Sequence, residues 1–241
     1  MKAMILAAGL GSRLGALTAD TPKCLMKIGE KTILEYVVEN LKKAGVNSIV
    51  INLHYLAPVV KEFIHKKNSF DIEILFTYEA ELLGTGGGVK NARHFMDNEE
   101  LFLVHNADVY TTLDLASMVN AHRECESLVT LGVMDRSTSR PLIFDADNQL
   151  AGWKSIENNV GDAIADAGAV FPLAFSGIQV LSPGIFKYME TQSGAFSIIR
   201  TYMHAARASE RIRAYRMDSA YWIDIGKPNQ LEELRSRIAN L

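Results

Sequence analysis

Apolar and polar positions alternate along this chain in two rhythms. Residues 3–8 are apolar on both faces, as in a central parallel strand. A glycine-rich loop follows them. Thr32-Ile33-Leu34-Glu35 has the spelling of a capping box. It predicts a helix through Leu41, with Leu34, Val37, Val38 and Leu41 as its buried stripe and Gly45 as its stop. Ser48 to Leu53, Ile72 to Thr77, Leu101 to Val104 and Leu128 to Val133 read as further strands. Helices are predicted from Pro58 to about His65 and from Leu115 to His122. Gly86-Gly87-Gly88 leads into a short helix ending near Phe95. This alternation, at a spacing of roughly 20–25 residues, is the pattern of an open α/β sheet with right-handed crossovers.

The pattern changes over residues 135–170, which are rich in Asp, Asn and Gly. A β-hairpin is expected around Asp147-Asn148, then an irregular acidic loop. Ala174 to Leu181 reads as a strand. Ser182-Pro183 caps a helix, a second helix runs from about Phe196 to Ala208, Ile212 to Met217 is a strand, and Pro228 opens a closing helix. No linker, low-complexity tract or internal repeat interrupts the chain. The expected architecture is a Rossmann-like three-layer α/β sandwich. Its mixed, mostly parallel sheet has about seven strands, with a small antiparallel subsheet beside it, all in one domain over 1–241.

Composition narrows the class of protein. The 241 residues are 48% hydrophobic and 22% charged with a net charge of -3, enough to bury a core without staples. Cys24 and Cys125 are too few for a disulfide framework. Met1 to Ala8 imitates the front of a signal peptide, but Gly9 to Arg13 interrupts the apolar run and no cleavage pattern follows. No run approaches a membrane span. A near-neutral charge argues against nucleic acid as a partner. A soluble, cytoplasmic protein is expected.

The densest local chemistry lies directly after the first strand, at Ala7-Ala8-Gly9-Leu10-Gly11-Ser12-Arg13-Leu14. Glycines at a strand end let backbone N–H groups approach a phosphate. A dinucleotide fingerprint would need a third glycine, where Leu14 stands, and an acid after the second strand, where Asn52 and His54 stand. A P-loop would need Gly-Lys-Ser/Thr, whereas this loop offers Ser12-Arg13. What remains is a glycine turn with an arginine inside it, either a phosphate cradle or a structural turn. Lys23, after Thr21-Pro22, could reach the same phosphates or be an ordinary surface lysine. Asp108 and Asp224 each follow an apolar strand, a short one before Asp224, at the carboxyl edge where open α/β sheets bind ligands; the plainer reading is a pair of surface aspartates, one in a turn, and for Asp108 taken alone that reading prevails. No nucleophile elbow and no zinc spacing among the six histidines is present.

Taken in order, these segments resemble the sugar-nucleotide pyrophosphorylases, the nucleotidyltransferases that join an NTP to a sugar 1-phosphate. The resemblance rests on the loop from Ala8 to Leu14 with Thr21-Pro22-Lys23, on Gly84-Thr85-Gly86-Gly87-Gly88 and on Asn106-Ala107-Asp108. Phe175-Ser176-Gly177-Ile178 and Trp222-Ile223-Asp224-Ile225-Gly226 complete it. Ala16 and Cys24 replace two prolines of the family pattern, and Ala107 replaces a glycine.

The resemblance implies the nucleotide-diphospho-sugar transferase fold and a set of roles. Leu6, Ala8, Gly9, Gly11, Ser12, Arg13, Lys23, Glu79, Gly84 and Gly86 would meet the nucleotide. Asn106, Lys154 and Gly177 would meet the sugar phosphate, and Asp108 and Asp224 would hold Mg²⁺. Arg13, Lys23 and Asp108 would carry the chemistry. Glu79 could meet the base or ribose, or be a solvated loop carboxylate. Lys154 lacks the family's Glu-Lys-Pro context. Tyr221 and Trp222 could stack on a base, though packing is the simpler role.

The implied reaction is in-line attack on the α-phosphorus of an NTP, UTP being favoured, with pyrophosphate leaving. The short form with a Gly-Gly-Gly segment is similar to N-acetylmuramate 1-phosphate uridylyltransferases and to mannose-1-phosphate guanylyltransferases. A phosphocholine-type cytidylyltransferase is a further alternative. So are two other classes, a non-catalytic nucleotide-binding module and a glycosyltransferase. The last would use Asp145-Ala146-Asp147, which sits better as a hairpin turn. With the recognised segments running from Gly9 to Gly226, no C-terminal β-helix is expected, and the form expected is a monomer or homodimer.

Overall fold

The computed structural model describes residues 1–164 and 168–240. In chain order the first elements are β1 (Lys2–Leu6), β2 (Lys27–Ile28), β3 (Lys31–Thr32), α1 (Ile33–Lys43), β4 (Ser48–Leu53), α2 (Ala57–Lys66) and β5 (Glu73–Tyr78). Then come α3 (Gly84–Asn91), α4 (Arg93–Met96), β6 (Phe102–Asn106), β7 (Val109–Thr111), α5 (Leu115–Glu124) and β8 (Val129–Met134). The chain continues through β9 (Leu142–Asp145), β10 (Leu150–Ser155), β11 (Val160–Ala163) and β12 (Val170–Leu181). It ends with α6 (Ile198–Arg207), β13 (Ile212–Arg216), β14 (Trp222–Asp224) and α7 (Pro228–Ala239).

The chain divides into two compact units. The first holds Met1–Leu82, Val104–Ala116 and Ala220–Leu241; the second holds Leu83–Leu103 and Ser117–Ser219.

In the first unit the strands run β6–β1–β4–β5, with β1, β4 and β5 parallel. Every residue of β4 is buried, because both faces of this strand are covered. The capping box forms as spelled: Thr32 accepts from the Glu35 amide, and the Glu35 carboxylate accepts from Thr32. It opens α1, whose Ile33, Leu34, Val37, Val38 and Leu41 are buried. Gly45, at φ 82°, turns the chain back toward β4. A small antiparallel pair, β7 with β14, closes the unit beside the end of β6.

In the second unit β12 is the organising strand. It pairs antiparallel with β9 from Val170 to Leu173 and with β8 from Ala174 onward, and a bulge between Phe175 and Gln179 interrupts the β8 pairing. β13 extends β8 in parallel, and β10 and β11 extend β9. His122 locks α5 to this sheet. Its Nδ1 faces Thr130 Oγ1 at 2.9 Å and its Nε2 faces Ser182 Oγ at 3.0 Å. Ser182 spends its only proton on the Ser127 carbonyl, so Nε2 must donate and Nδ1 must accept. Burial pushes the His122 pKa down to about 4, consistent with a neutral ring.

The structure departs from expectation in four places. The three glycines lie inside α3 rather than ahead of a helix. The segment after Ser182 is a 3-10 helix, Pro183–Met189. Part of the expected acidic loop is the strand β11, paired to β10; the rest of that loop, at 165–167, lies outside the described residues. Among the described residues the main sheet has ten strands rather than about seven, and β2 with β3 and β7 with β14 form two further short pairs. The hairpin reading of Asp145-Ala146-Asp147 is visible: Asp145 Oδ1 accepts from the Asp147 and Gln149 amides, and Asn148 takes φ 61°. None of the described helices is long and apolar enough to cross a membrane.

Candidate active site

The ends of β1, β4 and β6 build the centre of the first unit's site. Ala7 N–H donates to Asn52 Oδ1 at 2.8 Å. Asn52 Nδ2 in turn donates to Glu79 Oε1 at 2.5 Å, and the Glu79 carbonyl faces His54 Nδ1 at 2.7 Å. Ala107 N–H donates to the Leu6 carbonyl at 3.0 Å, tying the end of β1 to the turn that carries Asp108. Asn52 and Glu79 are both buried. Glu79 is therefore no solvated loop carboxylate; it orients Asn52, which anchors the loop.

Beyond Ala7 the chain leaves the sheet with its amides unspent. Among the described residues, the N–H groups of Ala8, Gly9, Leu10 and Gly11 donate to no protein acceptor. A run of amides without protein acceptors at a strand end has the chemistry of an anion cradle. Gly11 takes φ 67°, and a methyl group on it would lie 2.9 Å from Thr18 Cγ2, so glycine is required there on two counts. Gly9 is different: a methyl there would meet nothing within 4 Å, so its glycine keeps the approach to the cradle open. Thr18 Oγ1 pins the loop from below through the Gly11 and Gly15 carbonyls. Ser12 and Arg13 are exposed at the start of a 3-10 turn, Ser12–Thr18.

The four charged groups converge on this loop. Lys23 donates to the Asp108 carboxylate, with side chains 11% and 26% exposed. Gly11 packs against Lys23, since a methyl on Gly11 would lie 3.4 Å from Lys23 Cβ. Ile225 N–H donates to the Asp108 carbonyl, which puts the Asp224–Gly226 segment beside Asp108. Asp224 Oδ1 accepts from Gly226 N–H at 2.9 Å. The Arg13 guanidinium covers the same glycine: a methyl on Gly226 would lie 2.5 Å from Asp224 Oδ1 and 2.9 Å from Arg13 Nη2. Arg13, Lys23, Asp108 and Asp224, 211 positions apart in sequence at the extremes, thus share one small region.

Neighbouring side chains are chemically quiet. Burial pushes the Cys24 thiol up to about 12, and the Asp108 charge adds to the rise. Burial pushes His105 down to about 4. Its Nδ1 faces the Asn106 carbonyl at 2.8 Å, at the end of β6. The Tyr221 ring is occupied by Tyr110, at 6.1 Å, and by the Arg237 guanidinium, at 3.9 Å, so it packs inside the unit.

Gly84, Gly86, Lys154 and Gly177 lie in the second unit. Gly84 and Gly86 seat Phe196: a methyl on Gly84 would lie 2.7 Å from the Phe196 carbonyl, and one on Gly86 only 2.3 Å from its ring. Gly86 N–H donates to that same carbonyl at 2.9 Å. Lys154 is exposed on β10, paired with Gly161. Gly177, at φ 76°, sits in the β12 bulge beside Ser176, whose hydroxyl donates to the Gly132 carbonyl.

The family model for nucleotidyl transferases matches residues 2–141, which span the loop, Lys23 and Asp108. The chain belongs to the nucleotidyl transferase family. It is 36% identical over 137 residues to the D-glycero-alpha-D-manno-heptose 1-phosphate guanylyltransferase of Campylobacter jejuni, covering 56% of this chain and 61% of that protein. It is 27% identical over 230 residues to the mannose-1-phosphate guanyltransferase of Yarrowia lipolytica, covering 95% of this chain and again 61% of the relative. The chain therefore spans less than two thirds of the length of these relatives. Among solved structures, HddC of Yersinia pseudotuberculosis complexed with GMP-PN superposes with a TM-score of 0.77 at 26% identity, covering 98% of this chain and 99% of that one. The mixed α/β fold expected from the sequence is shared with this structure.

Asn52, Thr18 and Gly226 shape this region through their contacts, although the sequence alone assigns none of them a role. Asn52 had shown itself only as the absence of an acid. A polar residue closing an all-apolar strand was the available signal, because a buried amide there must find partners.

Proposed function

We propose that the chain is a sugar-1-phosphate nucleotidyltransferase, and that the substrates of its relatives indicate the substrate class. The observation that carries this reading is the gathering of Arg13, Lys23, Asp108 and Asp224 around a loop with unspent amides. A phosphate oxygen of the sugar 1-phosphate attacks the α-phosphorus of the NTP. The bond to the bridging oxygen breaks and pyrophosphate leaves, with no covalent enzyme intermediate. The amides of Ala8 to Gly11 hold phosphate oxygens. Arg13, with its forked donors, takes charge developing on the leaving pyrophosphate, and Lys23 takes the α-phosphate region.

A divalent cation suits the remaining two groups. Among the described residues no group of three or more His, Cys, Asp or Glu side chains gathers as a metal cage. Magnesium does not need one, since it uses one or two carboxylates together with substrate phosphates. Asp108 and Asp224 offer hard oxygens of that kind. When bound, the ion would neutralise charge between the two phosphate groups. Asp108 must exchange its contact with Lys23 to take part, which frees the lysine for phosphate in the same motion. We further propose that the whole chain acts as one catalytic domain, with Lys154 and Gly177 facing the sugar phosphate.

For the base, the two guanylyltransferases and the GMP-PN complex above favour GTP as the first nucleotide to try, with UTP, the choice of the sequence reading, second. The deciding experiment is pyrophosphate release from GTP, UTP, CTP or dTTP with Mg²⁺ and a panel of hexose and heptose 1-phosphates. Turnover with one pair is expected. No turnover with any pair would sink the proposal.

A further inference from the structure

The second unit contains a cavity of about 650 Å³, a volume typical of small-molecule sites. One wall is a sheet face. Trp153 stands opposite Asp162 on one side and Leu142 on the other, and Ser155 stands opposite Val160. Residues two apart on a strand share a face, so all five side chains line one side of the sheet. Lys154, between Trp153 and Ser155, belongs to the other side. The cavity thus lies on the sheet face opposite to Lys154.

The opposite wall is α6, which presents Arg200, Met203, His204 and Arg207 at the spacing of one helical face. Arg207 pairs with Asp162 across the cavity. Arg200 and Arg140, the latter just before β9, also line it. Among the described residues, neither guanidinium makes an ion pair or hydrogen bond. His204 uses Nδ1 against the Tyr188 carbonyl at 3.2 Å, leaving Nε2 available. Gln192, 5% exposed at the cavity wall, gives its amide N–H groups to Tyr188 and Thr201 while its Oε1 has no partner.

A concave site with two unspent arginines, an imidazole and a tryptophan ring is matched to a particular chemistry. Arginine forks fit the oxygens of a phosphate bidentately. Trp153 and Val160 offer a surface for a flat, weakly polar body. We infer that this cavity binds a phosphomonoester carrying a ring, of the nucleoside monophosphate kind, with the phosphate on Arg140 and Arg200 and the ring along Trp153. This site does not depend on the nucleotidyltransferase reading.

The chain's two tryptophans make a local test possible. In a Trp222→Phe protein Trp153 is the sole tryptophan, and adding Arg13→Ala weakens binding at the first unit's loop. UMP, GMP and inorganic phosphate are titrated while Trp153 emission is followed. The expected result is a saturable change with at least one nucleotide, and weaker binding of phosphate alone. Arg200→Glu and Arg140→Ala should each weaken nucleotide binding roughly tenfold or more, with unchanged circular dichroism and Tm. No saturable change with either nucleotide overturns the inference. So does a change that persists in Arg200→Glu, or phosphate binding as tightly as the nucleotides. Pyrophosphate release in the Arg200→Glu protein, with Arg13 intact, reports separately on the catalytic reading.

Discussion

Lys23 donates to the carboxylate of Asp108, so in the free protein the cation proposed for phosphate and the anion proposed for metal neutralise each other. Each waits in a contact that substrate must replace. The pair is mostly shielded from water, and removing one partner strands the other.

Lys23→Met should therefore both lower stability, by roughly 1–3 kcal/mol, and cut nucleotidyl transfer. Asp108→Asn should lower kcat by roughly a hundredfold or more while leaving the fold intact. Urea titration together with steady-state kinetics checks both. Unchanged kcat in Asp108→Asn would remove that residue from the chemistry.

Gly226→Ala is expected to be worse for activity than for stability. Its methyl has to displace both the Asp224 carboxylate and the Arg13 guanidinium. The measured sign should be a fall in kcat of roughly tenfold or more with a small Tm change. Gly9→Ala makes the useful contrast. Its methyl has room, so Tm should hold while KM for the nucleotide rises.

Asn52→Ala should release the Ala7 amide and leave the Glu79 carboxylate buried with one fewer donor. The expected cost is roughly 1–3 kcal/mol of stability. Nucleotide affinity should weaken with it, read by thermal shift with and without nucleotide. Glu79→Gln, which keeps the shape of the contact, should be milder than Glu79→Ala.

Two buried histidines set an acid limit. Burial pushes the pKa of His105 and of His122 to about 4, against an ordinary value of 6.5. The unfolded chain thus binds protons first as pH falls. Stability is full above about pH 6.5, declines toward pH 4 and gains no further loss from these groups below that. Denaturation midpoints at pH 7, 5.5 and 4.5 should fall in that order. His122→Gln, although less stable at pH 7, should show a shallower decline.

Much of this architecture was legible because burial leaves a periodic trace. Ser48–Leu53 matched β4 residue for residue, since a strand covered on both faces is a bare apolar run. The Thr32–Glu35 cap was legible because two hydrogen bonds need those two side chains at that spacing. The short strand β7 left no such trace, and β14 showed only as the brief apolar stretch before Asp224; the two are held by each other from positions distant in sequence. At the site, the glycine loop and the charged residues could be read locally. The brace from Ala7 through Asn52 to Glu79 could not, because it joins three strand ends that only the folded sheet makes neighbours. The cavity between α6 and the β9–β11 face was equally hidden, since its arginines are far apart along the chain.

Cys24 follows Lys23 directly, yet its thiol is buried and held near a pKa of about 12. A thiol that does not ionise at neutral pH is a poor target for peroxide or alkylating reagents. The proposed phosphate site can therefore be worked on under oxidising conditions, or beside a maleimide dye, without damage at this position. Cys125, which is partly exposed, is the natural attachment point for a label that leaves the centre untouched.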